Sequence, residues 1–209
     1  MYIDKEQINR LDRKFRLNLI NSITGIKPAN LIGTKSQEGV SNLAIFSSVV
    51  HLGSDPALIG MIVRPDSEVA RNTFDNIKDM GYYTINHVPL TLTRQAHYTS
   101  AKFPADISEF ERCAIDEEYL KGFPAPFVKD SHIKFGLKHV QSIPIELNGT
   151  TLVIGEIQLV VVPDYAVNEK GYIDLQTCDT TGVAGLNQYY CLSKEAEYPY
   201  VRLEEVPEF

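Results

Sequence analysis

Apolar residues recur at helical spacing near the start of the chain, at Ile8, Leu11 and Phe15, behind an Asp4 that can cap a helix with Gln7 three residues on. Gly25 and Pro28 end that pattern. From Asn30 to Val63 it gives way to short apolar runs, NLIGT, AIFSSVV and ALIGMIV, separated by Gly39, Gly53 and Asp55-Pro56, which predict strands joined by turns. Helical intervals return after Pro65-Asp66-Ser67, at Val69, Thr73, Phe74, Ile77 and Met80, and Gly81 stops them. Tyr82 to Val88 is rich in β-formers and reads as a strand, and Thr91 to Ser100 as a further short helix. His132 to Leu137 alternates polar with apolar, as a strand does. IPIEL and TTLVIGEIQLVVV then flank Asn148-Gly149, a dipeptide suited to a two-residue type I′ hairpin because both turn positions need positive φ. Tyr172 to Leu175 and Tyr189 to Leu192 read as a last pair of short strands.

Six or more strands, one strong hairpin and helices gathered mainly in the first half do not alternate as βαβ units would. The pattern predicts a mainly β fold, a closed antiparallel barrel with flanking α-helices. One domain spans residues 1–209, with an N-terminal helical extension (1–25), a loop-rich insertion (101–130) and an acidic tail (203–209). The cluster Asp116, Glu117, Glu118 within the insertion reads as a solvated face.

Composition narrows the function classes. The chain has 209 residues, with 20 basic and 27 acidic side chains and a formal charge of −7, a balance that argues against a nucleic-acid-binding surface. No apolar stretch approaches the ~20 residues that span a bilayer, and no signal-like segment opens the chain, so a cytoplasmic protein without membrane contact is expected. Cys113, Cys178 and Cys191 lie far apart without CxxC spacing, which indicates neither a disulfide framework nor a zinc site. There is no GxGxxG, GxSxG or HExxH, and Gly33-Thr34-Lys35-Ser36 lacks the glycines of a P-loop. His51, His87, His97, His132 and His139 fall in no ligand spacing and are expected at the surface or hydrogen-bonded in the core.

The concentration of chemistry lies between Ser41 and Asn72. Asn42, Ser47 and Ser48 place small hydrogen-bonding groups beside Leu43, Ala44 and Phe46, an arrangement that suits a flat heterocycle with polar edges. Arg64 ends a strand, and Arg71, Asn72 and Thr73 meet at the start of a helical turn. Arginine, a hydroxyl and free backbone N–H groups at a helix start are what a phosphate dianion needs. Taken alone, these residues are better read as serines that satisfy backbone groups and arginines that make surface pairs.

The order of motifs adds a resemblance. KPANLIGT, SNLAIFSSVVHLGSDPALIGMIV, RNTFDNI, GYYTIN, LVIGEI and GVAGLNQYY, from about Ile26 to Tyr190, resemble the flavin reductase-like family of FMN-binding split β-barrels. The resemblance implies a split barrel of Greek-key type, non-covalent FMN, and a homodimer with flavin near the interface and the partner's Gly182 to Tyr190 segment close to it. It also implies that Asn42, Leu43 and Ala44 contact the ring, Ser47 and Ser48 serve the ribityl chain or phosphate, and Arg71 to Thr73 help hold the phosphate. Asp55-Pro56-Ala57 stands where the family often has Pro-Pro. The function implied is an FMN-dependent oxidoreductase that takes electrons from NADH or NADPH and passes them to free flavin or an acceptor protein. No acid, base or nucleophile is required of the protein, because the cofactor carries the chemistry. The alternatives are a flavin-binding or electron-carrier protein without NAD(P)H turnover, and a dimeric scaffold that binds another ligand or none.

Overall fold

A computed structural model describes residues 1–65 and 72–208. The expected N-terminal helix is two helices, α1 (Lys5–Arg10) and α2 (Arg13–Ser22). Asp4 and Gln7 make the anticipated reciprocal cap, with bonds of 2.8 and 2.9 Å. Asp12 interrupts the run because its carboxylate accepts from the N–H groups of Lys14 and Phe15 and so starts a second helix.

The chain continues through β1 (Lys27–Pro28), β2 (Asn30–Lys35), β3 (Ser41–Phe46), β4 (Val49–Ser54) and β5 (Ala57–Val63). Then come α3 (Asn72–Met80), β6 (Tyr82–His87), a short 3-10 turn, α4 (Thr93–Tyr98) and α5 (Glu109–Arg112). The remainder holds β7 (Glu117–Glu118), β8 (Phe127–Val128), β9 (Lys134–Ile145), β10 (Thr150–Val161), β11 (Thr181–Ala184) and β12 (Gln188–Cys191). Of the helix expected after Pro65, the part from Asn72 is present; residues 66–71 lie outside the described residues.

Seven strands form one antiparallel sheet in the order β3-β2-β6-β9-β10-β5-β4. Its two edge strands are consecutive in sequence. AIFSSVV, expected as one strand, divides at Ser47-Ser48, where the Ser48 hydroxyl donates to the Ile62 carbonyl (3.0 Å) and the Ile62 N–H to the Ser48 carbonyl (3.1 Å). Those bonds turn the chain from the β3 edge to β5. Phe46 and Val49 are three residues apart, no more than about 11 Å even when extended, so the sheet must roll until its edges face each other. The expected closed barrel is therefore corrected to a split one: among the described residues no ladder joins β3 to β4.

Two cores follow from this curl. Ile32, Met61, Val63, Tyr83, Ile85, Leu137 and Val153 fill the inner face with Ile77 of α3. Leu31 and Leu43 face the other way, against Val88, Ala96, Phe110, Cys113, Val128 and Val183. Adjacent Leu31 and Ile32 are thus both fully buried, which explains the uninterrupted apolar run of β2.

The stretch 101–130 is more than a loop-rich insertion, since it supplies Phe110, Ile115, Phe127 and Val128 to the buried interior and pairs β7 with β8. Thr84 donates to the Pro126 carbonyl (2.6 Å), and Asn86 accepts from the Val128 N–H (3.0 Å) while donating to the Leu31 carbonyl (3.0 Å). Buried Lys134 donates to Glu118, to the Val128 carbonyl (3.0 Å) and to the Lys129 carbonyl (2.9 Å), so Glu118 does not belong to a solvated face.

The β9–β10 hairpin forms as anticipated but through four residues, 146–149, with positive φ at Gly149 and not at Asn148. Both the Asn148 and Gly149 N–H groups bond back to the Ile145 carbonyl. Tyr172 to Leu175 makes only an isolated bridge, Val167 with Ile173, whereas β12 pairs with β11, which also pairs with β1.

Gly33 lies where β2 passes beneath the Pro126 carbonyl, and a Cβ there would collide with that oxygen and with Thr84 Oγ1. Gly33→Ala is expected to lower the unfolding free energy by about 1–3 kcal/mol, the usual cost of overpacking, as read from urea denaturation.

Candidate functional site

Asn42, on β3, is buried, and its amide donates to Thr73 Oγ1 (3.0 Å) and Thr34 Oγ1 (3.3 Å). Asn76, one turn along α3, donates to the same Thr34 oxygen at 3.1 Å. These four side chains fasten the first turn of α3 to β2 and β3 and bring together Asn42 and Thr73, 31 positions apart. Thr73 receives a hydrogen bond from Asn42 and retains its own proton to donate.

Leu43 buries its side chain fully, so only its backbone remains for ligand contact. Its N–H points away from β2 and donates to Glu109 Oε2 at 2.9 Å. Ala44 is half-buried, and Phe46 packs against the inner core. Ser48 spends its hydroxyl proton on Ile62, while the half-buried Ser47 hydroxyl has no partner among the described residues. Arg64, one residue beyond β5, is exposed and faces no carboxylate within ion-pair distance among the described residues. Asn72 is half-buried at the start of α3, and Arg71 lies outside the described residues. The structure therefore joins Asn42 with Thr73 directly and ties Ser48 to the end of β5 that carries Arg64.

Sequence reasoning missed Glu109. Its only signal was a carboxylate beside Phe110 in a stretch read as a loop-rich insertion, yet it is 4% exposed and caps the β3 edge. Burial raises its pKa, partly opposed by the hydrogen bond from Leu43. Among the histidines, His87 is held neutral by burial, with its pKa lowered to about 4, and its ring packs edge-on to Phe135. His97, His132 and His139 bond to Tyr189, the Cys178 carbonyl and Ser142. No grouping of His, Cys, Asp and Glu able to hold a metal occurs among the described residues, and no described helix is long and apolar enough to cross a membrane. An open groove of about 520 Å³ between Arg94, Tyr98, Phe103 and Arg112 includes none of the expected site residues.

Residues 26–179 match the model of the flavin reductase like domain. The chain belongs to that family. It is 49% identical to a split-barrel protein of Shewanella frigidimarina NCIMB 400 named as a candidate flavin reductase, with a TM-score of 0.92 over 96% of this chain and 100% of that one. Component B of nitrilotriacetate monooxygenase from Bacillus cereus shares the fold at 20% identity, with a TM-score of 0.82 over 95% of this chain and 98% of that one. So does an FMN-binding protein of Thermus thermophilus at 14% identity, with a TM-score of 0.69 over 83% of this chain and 90% of that one. Asn42 of this chain bonds to Thr73 of α3 and Thr34 of β2, and Glu109 accepts from Leu43 on the other edge of β3.

Glu109 makes the β3 edge sensitive to pH. A carboxyl whose folded pKa is raised favours the folded state most at pH below the ordinary carboxylate range and loses that contribution as pH rises. Glu109→Gln keeps an acceptor for Leu43 without the charge. Its unfolding free energy relative to the parent is expected to grow between pH 4.5 and 7.5, measured by urea titration at both ends. A difference independent of pH would show that the charge of Glu109 is not what burial penalises.

Proposed function

We propose that the chain is an FMN-dependent oxidoreductase that takes reducing equivalents from NADH or NADPH and delivers them to free flavin or an acceptor protein, working as a homodimer. The observation that carries the reading is a set of donors without matching acceptors beside β3, Thr73 held at Asn42 near its start and Ser47 just beyond its end. Ser47 and Arg64 have no protein partner among the described residues, and Thr73 has a proton to donate. Such a set fits the phosphate of FMN, and Arg71 adds a second cation beside Asn72 in the sequence. The backbone of Asn42 to Ala44, held by the Thr34–Thr73 cluster on one side and Glu109 on the other, would form a rigid wall for the ring.

Bound FMN would supply hydride acceptance and one- or two-electron release. The residues of the chain bind the phosphate, fix the ring against β3 and leave Phe46 in the core as support. No side chain is asked to move a proton in the hydride step. His87 remains neutral from pH 6 to 8 because burial keeps it so.

The cofactor released by heat from protein expressed with ample riboflavin should co-migrate with FMN on chromatography; FAD, or no flavin, would overturn the assignment. Arg71→Ala and Arg64→Ala should each weaken FMN binding about ten- to a hundred-fold if the guanidinium pairs with the phosphate, as expected for a charge-assisted hydrogen bond. Riboflavin, which lacks the phosphate, should bind parent and variants alike.

Under anaerobic stopped flow, NADH or NADPH should bleach the flavin at a rate that varies little from pH 6 to 8. Absence of bleaching by either nucleotide would move the function to electron carriage.

A further inference from the structure

Two segments of the chain display apolar side chains to water and do not cover each other. At the C-terminus, Lys194 is tethered by its N–H to Gln176 Oε1 (3.2 Å), after which residues 195–208 run without strand or α-helix. This arm is not featureless, since Arg202 and Glu205 cap a 3-10 turn at Leu203–Glu205. Yet Tyr198 is 82% exposed, and Tyr200 and Leu203 are each 90% exposed.

At the N-terminus, α1 and α2 contain no buried residue. Phe15, Leu17, Ile20 and Ile23 are all exposed, Ile23 at 73%. Helices of six and ten residues are unstable in water by themselves and gain most of their stability from packing an apolar face. Ile8, Leu11 and Leu19 are half-buried, and the rest of the apolar surface of these helices is left open to water.

Charge makes the two segments complementary. Residues 13–26 carry Arg13, Lys14 and Arg16 and no carboxylate. Residues 194–208 carry five carboxylates, Glu195, Glu197, Glu204, Glu205 and Glu208, against Lys194 and Arg202. Lys194 is already engaged by Glu197 at 2.5 Å.

We infer that residues 195–208 of one chain lie across α2 of a second copy, and that the second copy returns the same contact. Tyr198, Tyr200 and Leu203 cover the apolar residues of the partner's α2, while Glu195 and Glu204 meet its basic residues. A two-fold axis makes the exchange reciprocal, so each copy gives one arm and receives one. The inference rests on the homodimer proposed above and assigns the parts of the chain that hold it together.

A charge exchange in full-length chains tests it. One chain carries Glu195→Lys and Glu204→Lys, the other Arg13→Glu and Lys14→Glu. The second pair places acids at the start of α2, where they favour the helix, so dissociation cannot be put down to its melting. Sedimentation velocity at about 0.05 M salt, where charges act over more than 10 Å, should show each variant alone with a dimer dissociation constant raised at least about tenfold. An equimolar mixture should recover the parent's affinity, because both exchanges in the mixed dimer then pair opposite charges.

Variants that dimerise as well as the parent when alone, or a mixture no tighter than its components, would overturn the exchange while leaving the homodimer standing. A monomeric parent would overturn both. The flavin content of the parent, read from its absorbance, judges the cofactor separately.

Discussion

Two residues, Ser47 and Ser48, are all that separate the opposite edges of a seven-stranded sheet, and the remaining architecture follows from how short that link is. A strand order that begins with β3 and ends with β4 cannot lie flat when three residue steps span its width. The curl creates an inner face, which the apolar residues of β2, β5, β6, β9 and β10 fill and Ile77 of α3 completes. It also leaves a gap in the ladder. On the β3 side that gap would expose an unpaired N–H at Leu43, and the fold meets the cost with a buried carboxylate from a distant segment. Serine suits the link because its hydroxyl can bond to the backbone where strand pairing stops, as Ser48 does at Ile62.

The candidate site inherits its order from this frame. Thr34, Asn42, Thr73 and Asn76 form a polar cluster at the junction of sheet and helix, each a small group satisfied by another. Such a cluster sets the position of α3 more narrowly than apolar packing alone, because displacement leaves buried amide and hydroxyl groups unpaired. The segment 101–130 makes a comparable contribution from the other face, through Thr84, Asn86 and Lys134. The strand expected to line the ring is therefore fixed on both sides before any ligand arrives.

Strands that are apolar on both faces or bounded by strong turn residues were legible in the sequence. NLIGT and ALIGMIV correspond to β2 and β5, and the hairpin around Asn148-Gly149 forms, although with a four-residue loop. The division of AIFSSVV was not legible, because two serines within an apolar run look the same in a continuous strand as at a break between edges. Closure failed for the same reason: whether a rolled sheet pairs its last strands depends on what competes for their hydrogen-bonding groups. On β3 the Leu43 N–H is taken by Glu109, some 66 positions away, and no local pattern reveals a bond of that span. Of the expected cofactor contacts, Asn42 and Thr73 prove to be neighbours, which spacing alone could not show. The family resemblance supplied the link that periodicity lacked, because it depends on the order of motifs and not on their local conformation.

The three cysteines differ sharply in surroundings. Cys113 is enclosed by the outer core, where burial and the nearby Glu109 both raise its pKa, and Cys178 is buried with its pKa raised chiefly by burial. Cys191, the last residue of β12, is exposed. Since thiolate and access together set the rate of alkylation, the chain offers a spectroscopic label one natural attachment point, without removal of any native thiol. That point lies three residues before Lys194, where the C-terminal arm is tethered, so a probe placed there reports on the root of the arm in unaltered protein.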